Sequence, residues 1–355
     1  SIMPSSISSE VLILLIFLSV ASLGFGRLLP VNNLITFEVS FPEILITAIP
    51  EIPGPDDKAK IVIKYYSFIL LKIIYFFMII WLASYPKSGN TWLRSIISSL
   101  IFSGNGKFNF DLIRNIPQFP VEKNFKEFAD NFKDINEIKK YWILAQDKIN
   151  LDRKIKFLKT HHINCKIEEF YFTNKSNTCA TIYIVRDPRS LVSSISNHFD
   201  KSINEAKQFI MTPRLLGGNK DIKSGHVITL LGDWGEHYKF WKQNSENFLL
   251  IKYEDLLKNV DKELEKIITF LKKYTIFEAS EKKKQNIIKT TNFNSLKKME
   301  EDGFFKENVF KKILDKKINF FHQGPENRWE NVLDNRIREE IEKKFKDEMK
   351  ELGYL

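Results

Sequence analysis

The chain has 355 residues, with 54 Lys/Arg against 44 Asp/Glu for a formal charge of +10, and is 43% hydrophobic and 28% charged. These proportions belong to a globular chain and exclude wholesale disorder, collagen and coiled coil. Two cysteines, Cys165 and Cys179, are too few for a disulfide framework or a multi-cysteine zinc site, and the basic excess points to an anionic partner without saying which.

The charge is uneven. Residues 1–77 hold five Lys/Arg and six Asp/Glu, leaving 49 against 38 after them, and all six histidines and both cysteines also lie after residue 77. Six of the twelve prolines fall in the first 55 residues. This divides the chain into a hydrophobic, Pro-rich N-terminal segment, 1–77, and one domain, 78–355. Residues 11–23 form an apolar run with the length of a signal-peptide core, short for a membrane span. The charged residue before it is Glu10, the wrong sign for a secretion signal. Met78 stands directly before the first strand-like run. Two readings of 1–77 stay open: a leader or membrane anchor, or non-native upstream translation ahead of a start at Met78.

From Met78 onward, strand and helix patterns alternate. Residues 79–84 are apolar and strand-like. Residues 90–102 place Leu93, Ile96, Ile97, Leu100 and Ile101 at helical spacing. Strands are predicted at 156–159, 181–185 and 248–253. Helices are predicted at 188–199, with Pro188 in the first turn where its missing N–H is harmless, and from Asp255. A single helix is predicted over 335–352, striped by Ile337, Ile341, Phe345, Met349 and Leu352. The lysine run 282–284 reads as solvated surface. Such alternation predicts an α/β fold, a three-layer sandwich around a mainly parallel central sheet.

The first strand feeds Tyr85-Pro86-Lys87-Ser88-Gly89-Asn90-Thr91-Trp92, which opens the first helix. A strand, a tight Gly/Ser loop and a helix N-terminus make an anion site, because free N–H groups and the positive end of the helix dipole face one point. Lys87 adds a full charge, and Ser88, Asn90 and Thr91 add side-chain donors. The loop is not a Walker A motif, since the lysine precedes the glycine. It resembles the 5′-phosphosulfate loop of the sulfotransferases, Tyr-Pro-Lys-Ser-Gly-Thr-Thr-Trp, at seven of eight positions, with Asn90 as the departure.

Further segments resemble that family in the same order. Lys159-Thr160-His161 resembles the segment whose His is the catalytic base; a His with near-neutral pKa at a strand end suits proton removal from a hydroxyl. His162 is expected to point to the opposite face. Arg186 and Ser194 resemble the 3′-phosphate pair, and an arginine fork suits a phosphate in a way lysine cannot copy. Tyr253, Thr291 and Phe293 resemble residues bordering the nucleotide. Gly232, Asp233, Trp234 and Trp241 read as packing. Near the C-terminus the family's Arg-Lys-Gly is His322-Gln323-Gly324 here, so Gly324 is kept, the basic pair is lost, and Arg328 is the candidate replacement.

The resemblance, over 78–355, implies a P-loop-NTPase-like sulfotransferase fold. It implies transfer of a sulfuryl group from 3′-phosphoadenosine 5′-phosphosulfate, leaving adenosine 3′,5′-bisphosphate, to an acceptor hydroxyl or amine by in-line displacement. The implied catalytic residues are His161, Lys87, Lys159 and Ser194. The implied nucleotide contacts are Lys87, Ser88, Gly89, Asn90, Thr91, Trp92, Arg186, Ser194, Tyr253, Thr291, Phe293, Gly324 and Arg328. No metal is expected. The expected acceptor is a small molecule or glycan, walled by 105–124 and 202–227. No nucleic-acid partner is expected, and membrane contact only through 1–77; oligomeric state is left open. The expected location is cytoplasmic, with membrane anchoring through 1–77 as the alternative. The rival readings are a P-loop kinase on a related scaffold and a non-catalytic nucleotide-binding relic.

Overall fold

A computed structural model describes residues 26–31, 34–39, 78–217, 227–305, 309–311, 316–318, 320–321, 324 and 328–355. Most of the 1–77 segment therefore lies outside the described residues, as do His322 and Gln323 and part of the 202–227 wall. The chain divides into two units, Ser1–Tyr66 and Ser67–Leu355. In the first, β1 (Gly26–Val31) pairs antiparallel with β2 (Leu34–Val39).

The second unit is built on four parallel strands: β3 (Ile79–Ala83), β4 (Lys156–Thr160), β5 (Thr178–Val185) and β6 (Phe248–Lys252), in the spatial order β6–β5–β3–β4. Their near-continuous apolar sequences reflect burial on both faces. The alternation of side chains sorts them into two cores. Ile79, Trp81 and Ala83 of β3 join Tyr183 and Val185 of β5 on one face, while Ile80 and Leu82 join Ile182 and Ile184 on the other. Trp81 also donates its indole N–H to Thr178 Oγ1 at 2.9 Å, locking β3 to β5.

The helices after β3 and β5 cover opposite faces. Helix α1 (Asn90–Phe102) packs Leu93, Ile96, Ile97 and Leu100 into the second core. Helix α2 (Pro188–Phe199) packs Leu191, Val192 and Ile195 into the first. Two neighbouring parallel strands whose following helices diverge leave a crevice at their C-terminal ends, where ligands of open α/β sheets bind. The loops 85–89 and 186–187 both open there.

Three predicted elements differ. The helix over 335–352 is two, α3 (Asn335–Lys344) and α4 (Lys346–Glu351), broken at Phe345 (φ −106°, ψ 26°). Phe345 is buried against Trp234, 5.1 Å between rings, so packing outweighs a continuous helical ladder; the predicted stripe is nonetheless entirely buried. Lys283 is buried, in contrast to the solvated run expected, and Lys284 pairs with Glu265 and Glu281. The helix expected from Asp255 begins at Tyr253 and runs to Lys258 as α5. Trp234 and Trp241 are fully buried, and Asp233 caps the helix Trp234–Gln243 by accepting from Glu236 N–H at 2.8 Å.

Candidate active site

The β3–α1 turn is shaped by two left-handed residues, Lys87 (φ 67°) and Gly89 (φ 102°). A lysine seldom adopts this conformation, because its Cβ crowds the next carbonyl. At Gly89 even a methyl group would meet Tyr253 Cδ2 at 2.7 Å and Ile184 Cδ1 at 3.1 Å. Gly89 is the N-cap of α1 and supplies no side-chain cap, and the first turn carries no acidic residue. The first N–H groups of α1 thus keep their capacity for an external anion.

Several buried polar atoms lack a partner within the protein, and three of them lie around this turn. Ser88 Oγ, Arg186 Nε and Trp92 Nε1 are buried polar atoms lacking a hydrogen-bond partner. An unpartnered buried polar group costs about 1–3 kcal/mol, and a bound polyanion with oxygen acceptors would satisfy all three. Arg186 also reaches the Lys87 carbonyl at 3.4 Å and lies with its guanidinium 4.3 Å from the Tyr253 ring centre. Tyr253 meets Trp92 edge-on at 5.7 Å. Arg186, Tyr253, Trp92, Ser88 and Gly89 are therefore gathered at one crevice, from three separate chain segments.

Asn90 differs in role. Its amide donates to Leu82 O at 3.0 Å and to Ser84 Oγ at 3.1 Å, tying α1 back to the end of β3. Thr91 is buried in the same first turn. Thr291 is fully buried and donates back to Ile287 O at 2.8 Å. Phe293 and Gly324 meet closely, since a Cβ on Gly324 would fall 2.3 Å from the Phe293 ring. Arg328 is exposed, and 325–327, which join it to Gly324, lie outside the described residues.

His161 stands just past β4. Its Nδ1 is 2.7 Å from Ser84 O, and a carbonyl can only accept, so Nδ1 carries the proton and Nε2 the lone pair. Burial, then the positive charge of Lys159, holds the imidazole well below its usual pKa against the opposing pull of that carbonyl. His161 is thus neutral, with a basic nitrogen available. Its own carbonyl accepts from His237 Nε2 at 3.1 Å, which leaves His237 Nδ1 to accept from Tyr183 OH at 2.8 Å. His162 faces elsewhere: it is buried, stacked on Phe172 at 4.2 Å, and donates Nδ1–H to Ile163 O.

Lys87 extends toward α2. Its Nζ lies 3.5 Å from His198 Nδ1 and 3.7 Å from the Phe320 ring centre. Burial, Arg186 and Lys159 pull its pKa down to about 7, against Glu300. Lys159 acts electrostatically on His161, Lys87 and His198 alike, which brings these groups into one field. Ser194 lies on α2 one turn before His198. Glu300 accepts the main-chain N–H of Phe320 at 2.7 Å and of Phe321 at 2.9 Å, which seats Phe320 over the lysine. The roles of Ser84, His198, Glu300 and Phe320 went unread in the sequence. Only His198 had a legible signal, its four-residue spacing from Ser194.

Residues 79–353 match the family model described as Sulfotransferase domain. Among similar proteins, Sulfotransferase 1E1 of Bos taurus is 24% identical over 278 residues, covering 76% of this chain and 82% of that one. The 3-beta-hydroxysteroid sulfotransferase of Cavia porcellus is 23% identical over 269 residues, covering 75% and 82%. A crystal structure of a mouse sulfotransferase complexed with PAP covers 77% of this chain and 84% of that chain at 21% identity, with a TM-score of 0.48.

Proposed function

This chain belongs to the sulfotransferase domain family, and from that premise we propose that its crevice holds 3′-phosphoadenosine 5′-phosphosulfate and directs the sulfuryl group to an acceptor hydroxyl or amine. One observation carries the assignment of residues: an anion cradle with orphaned Ser88 and Arg186 donors stands beside a neutral His161 whose Nε2 is free to accept a proton. When bound, the nucleotide supplies an activated sulfuryl group.

The protein's part is positioning and charge. Gly89, Ser88 and the first turn of α1 bind the 5′ end, and Lys87 stabilises negative charge on the leaving oxygen. Lys159 helps neutralise the sulfuryl oxygens. Arg186 and Ser194 hold the 3′-phosphate, with Arg328 as a further contact. Trp92, Tyr253, Thr291, Phe293 and Gly324 border the base and its ribose. His161 Nε2 takes the acceptor proton, and Ser84 O holds the ring in the tautomer that this requires.

The acceptor is a small hydroxyl-bearing molecule. Phe199 and Phe320 beside His198, Phe320 against Lys87 and Phe209 stacked on Phe199 favour an apolar acceptor over a glycan. The similarity to a protein named for a hydroxysteroid agrees. We place the enzyme in the cytoplasm, where two buried free cysteines are at home. Calorimetric titration with adenosine 3′,5′-bisphosphate without magnesium, and with ATP in the presence and absence of magnesium, tests the donor. Tight binding of the bisphosphate is expected. Preference for ATP would favour the kinase reading, which the lysine placed before Gly89 already disfavours. Bisphosphate binding without sulfuryl transfer to any of a panel of hydroxysteroids and phenols would leave a relic.

A further inference from the structure

We propose that His198 is a positioning residue for Lys87: its Nδ1 accepts a hydrogen bond from the lysine Nζ and favours the protonated form of that amine at the head of the anion cradle. The inference rests on the sulfotransferase reading for its significance, but not for its geometry. The resemblance names Ser194, on the same helix, among the implied catalytic residues. Among the described residues a polar partner at Lys87 Nζ is His198, 3.5 Å away and one helical turn beyond Ser194 along α2.

The direction of the bond follows from the charge proposed for Lys87. An ammonium has donors and no acceptor, so beside protonated Lys87 the His198 ring presents a lone pair at Nδ1 and carries its proton at Nε2. The imidazole is partly buried, edge-on to Phe199 at 4.7 Å and to Phe320 at 5.8 Å. Phe320 also lies against Lys87, with its ring centre 3.7 Å from Nζ. The ammonium therefore meets both a lone pair and a π face, and both favour the charged form.

Such support matters because of what surrounds the amine. Arg186 at the end of β5 and Lys159 on β4 push the proton off, and Glu300, on the helix Phe293–Glu301, pulls the other way. His198 is itself faced by Lys87 and Lys159, and burial with these charges keeps it neutral, near pKa 3. It stays an acceptor across the working pH range. Without it, Lys87 would lose its proton at lower pH and bring less charge to the leaving oxygen.

Two measurements test this, neither dependent on turnover. In the wild-type protein, nitrogen-15 NMR of the histidine side chains should show His198 as the Nε2–H tautomer. An Nδ1–H tautomer overturns the proposal, and this measurement needs no variant to fold. Separately, labelling of Lys87 by an amine-reactive reagent, quantified by mass spectrometry against pH, reports its protonation. His198→Leu should move the labelling midpoint to lower pH by about half a unit or more, while His198→Gln, which keeps an acceptor oxygen, should stay near wild type. Coincident midpoints for wild type and His198→Leu overturn it. Bisphosphate titration of the same samples separates the two failures: lost binding in the wild type sinks the donor reading, whereas unchanged Lys87 labelling sinks only the role of His198.

Discussion

His161 Nδ1 and the main-chain oxygen of Ser84 lie 2.7 Å apart, which joins the C-terminal ends of β4 and β3 through the proposed base itself. The pair converts a strand-end histidine into a fixed tautomer. A second bond, from His237 Nε2 to the His161 carbonyl, holds the backbone of the same residue.

His161→Ala should lower turnover roughly 10²–10⁴-fold, the usual worth of a positioned general base, while bisphosphate affinity stays near wild type. The pH dependence has a definite sign. A base works when deprotonated, and burial beside Lys159 depresses the His161 pKa well below 6.5. The acid limb of kcat assigned to this group should therefore lie well below pH 6.5. An acid limb at or above pH 6.5 that vanishes in His161→Ala would show that the ring is not desolvated as described.

Gly89→Ala should harm stability and donor binding together. The new methyl would press on Tyr253 Cδ2 at 2.7 Å, and Tyr253 is the platform under Arg186. The left-handed backbone adds about 1–2 kcal/mol for a non-glycine residue. The melting temperature should fall and the bisphosphate Kd should rise about tenfold or more. Adding Tyr253→Ala should return part of the lost stability, because the clash is relieved while the φ penalty is not, and a double-mutant cycle would read this as coupling. Strict additivity would sever the proposed contact.

How far the sequence reached follows from the kind of interaction. The strands β3, β4, β5 and β6 and the helices α1 and α2 were legible because apolar periodicity and the Pro188 signal are local. The β3–α1 turn, proposed as the anion cradle, was legible because Lys87, Ser88 and Gly89 are contiguous. The break at Phe345 was not, since it comes from contact with Trp234, far away in sequence. Nor was the inward turn of Asn90, which needs the end of β3 to be present before its amide has partners. Phe320 over Lys87 depends on Glu300 gripping two main-chain N–H groups, and no spacing rule announces such a grip.

Acid should destabilise the fold through its buried histidines. His162 and His237 are held near pKa 3 by burial, against about 6.5 unfolded. A depressed folded pKa gives stability that is present above the unfolded value and lost as pH falls toward the folded one. The melting temperature should decline as pH drops from about 6.5 toward 3. His162→Phe keeps the stack on Phe172 and removes one such proton, so its decline should be shallower. Parallel curves for the two proteins would remove His162 from the acid response.

Ser88→Ala separates binding from folding more cleanly than any change at Gly89. The Ser88 hydroxyl is fully buried and its oxygen has no partner within the protein. Deleting a buried polar group that is already unsatisfied removes a desolvation cost and takes no bond with it. The melting temperature of the ligand-free variant should therefore equal or exceed that of the wild type. Bisphosphate or phosphosulfate binding should weaken by about three- to tenfold, the worth of roughly one hydrogen bond. Stabilisation by ligand would fall in step, since the shift follows RT ln(1 + [L]/Kd). A loss of ligand-free stability would mean that the hydroxyl serves the fold, and an unchanged Kd would mean that it does not face the anion.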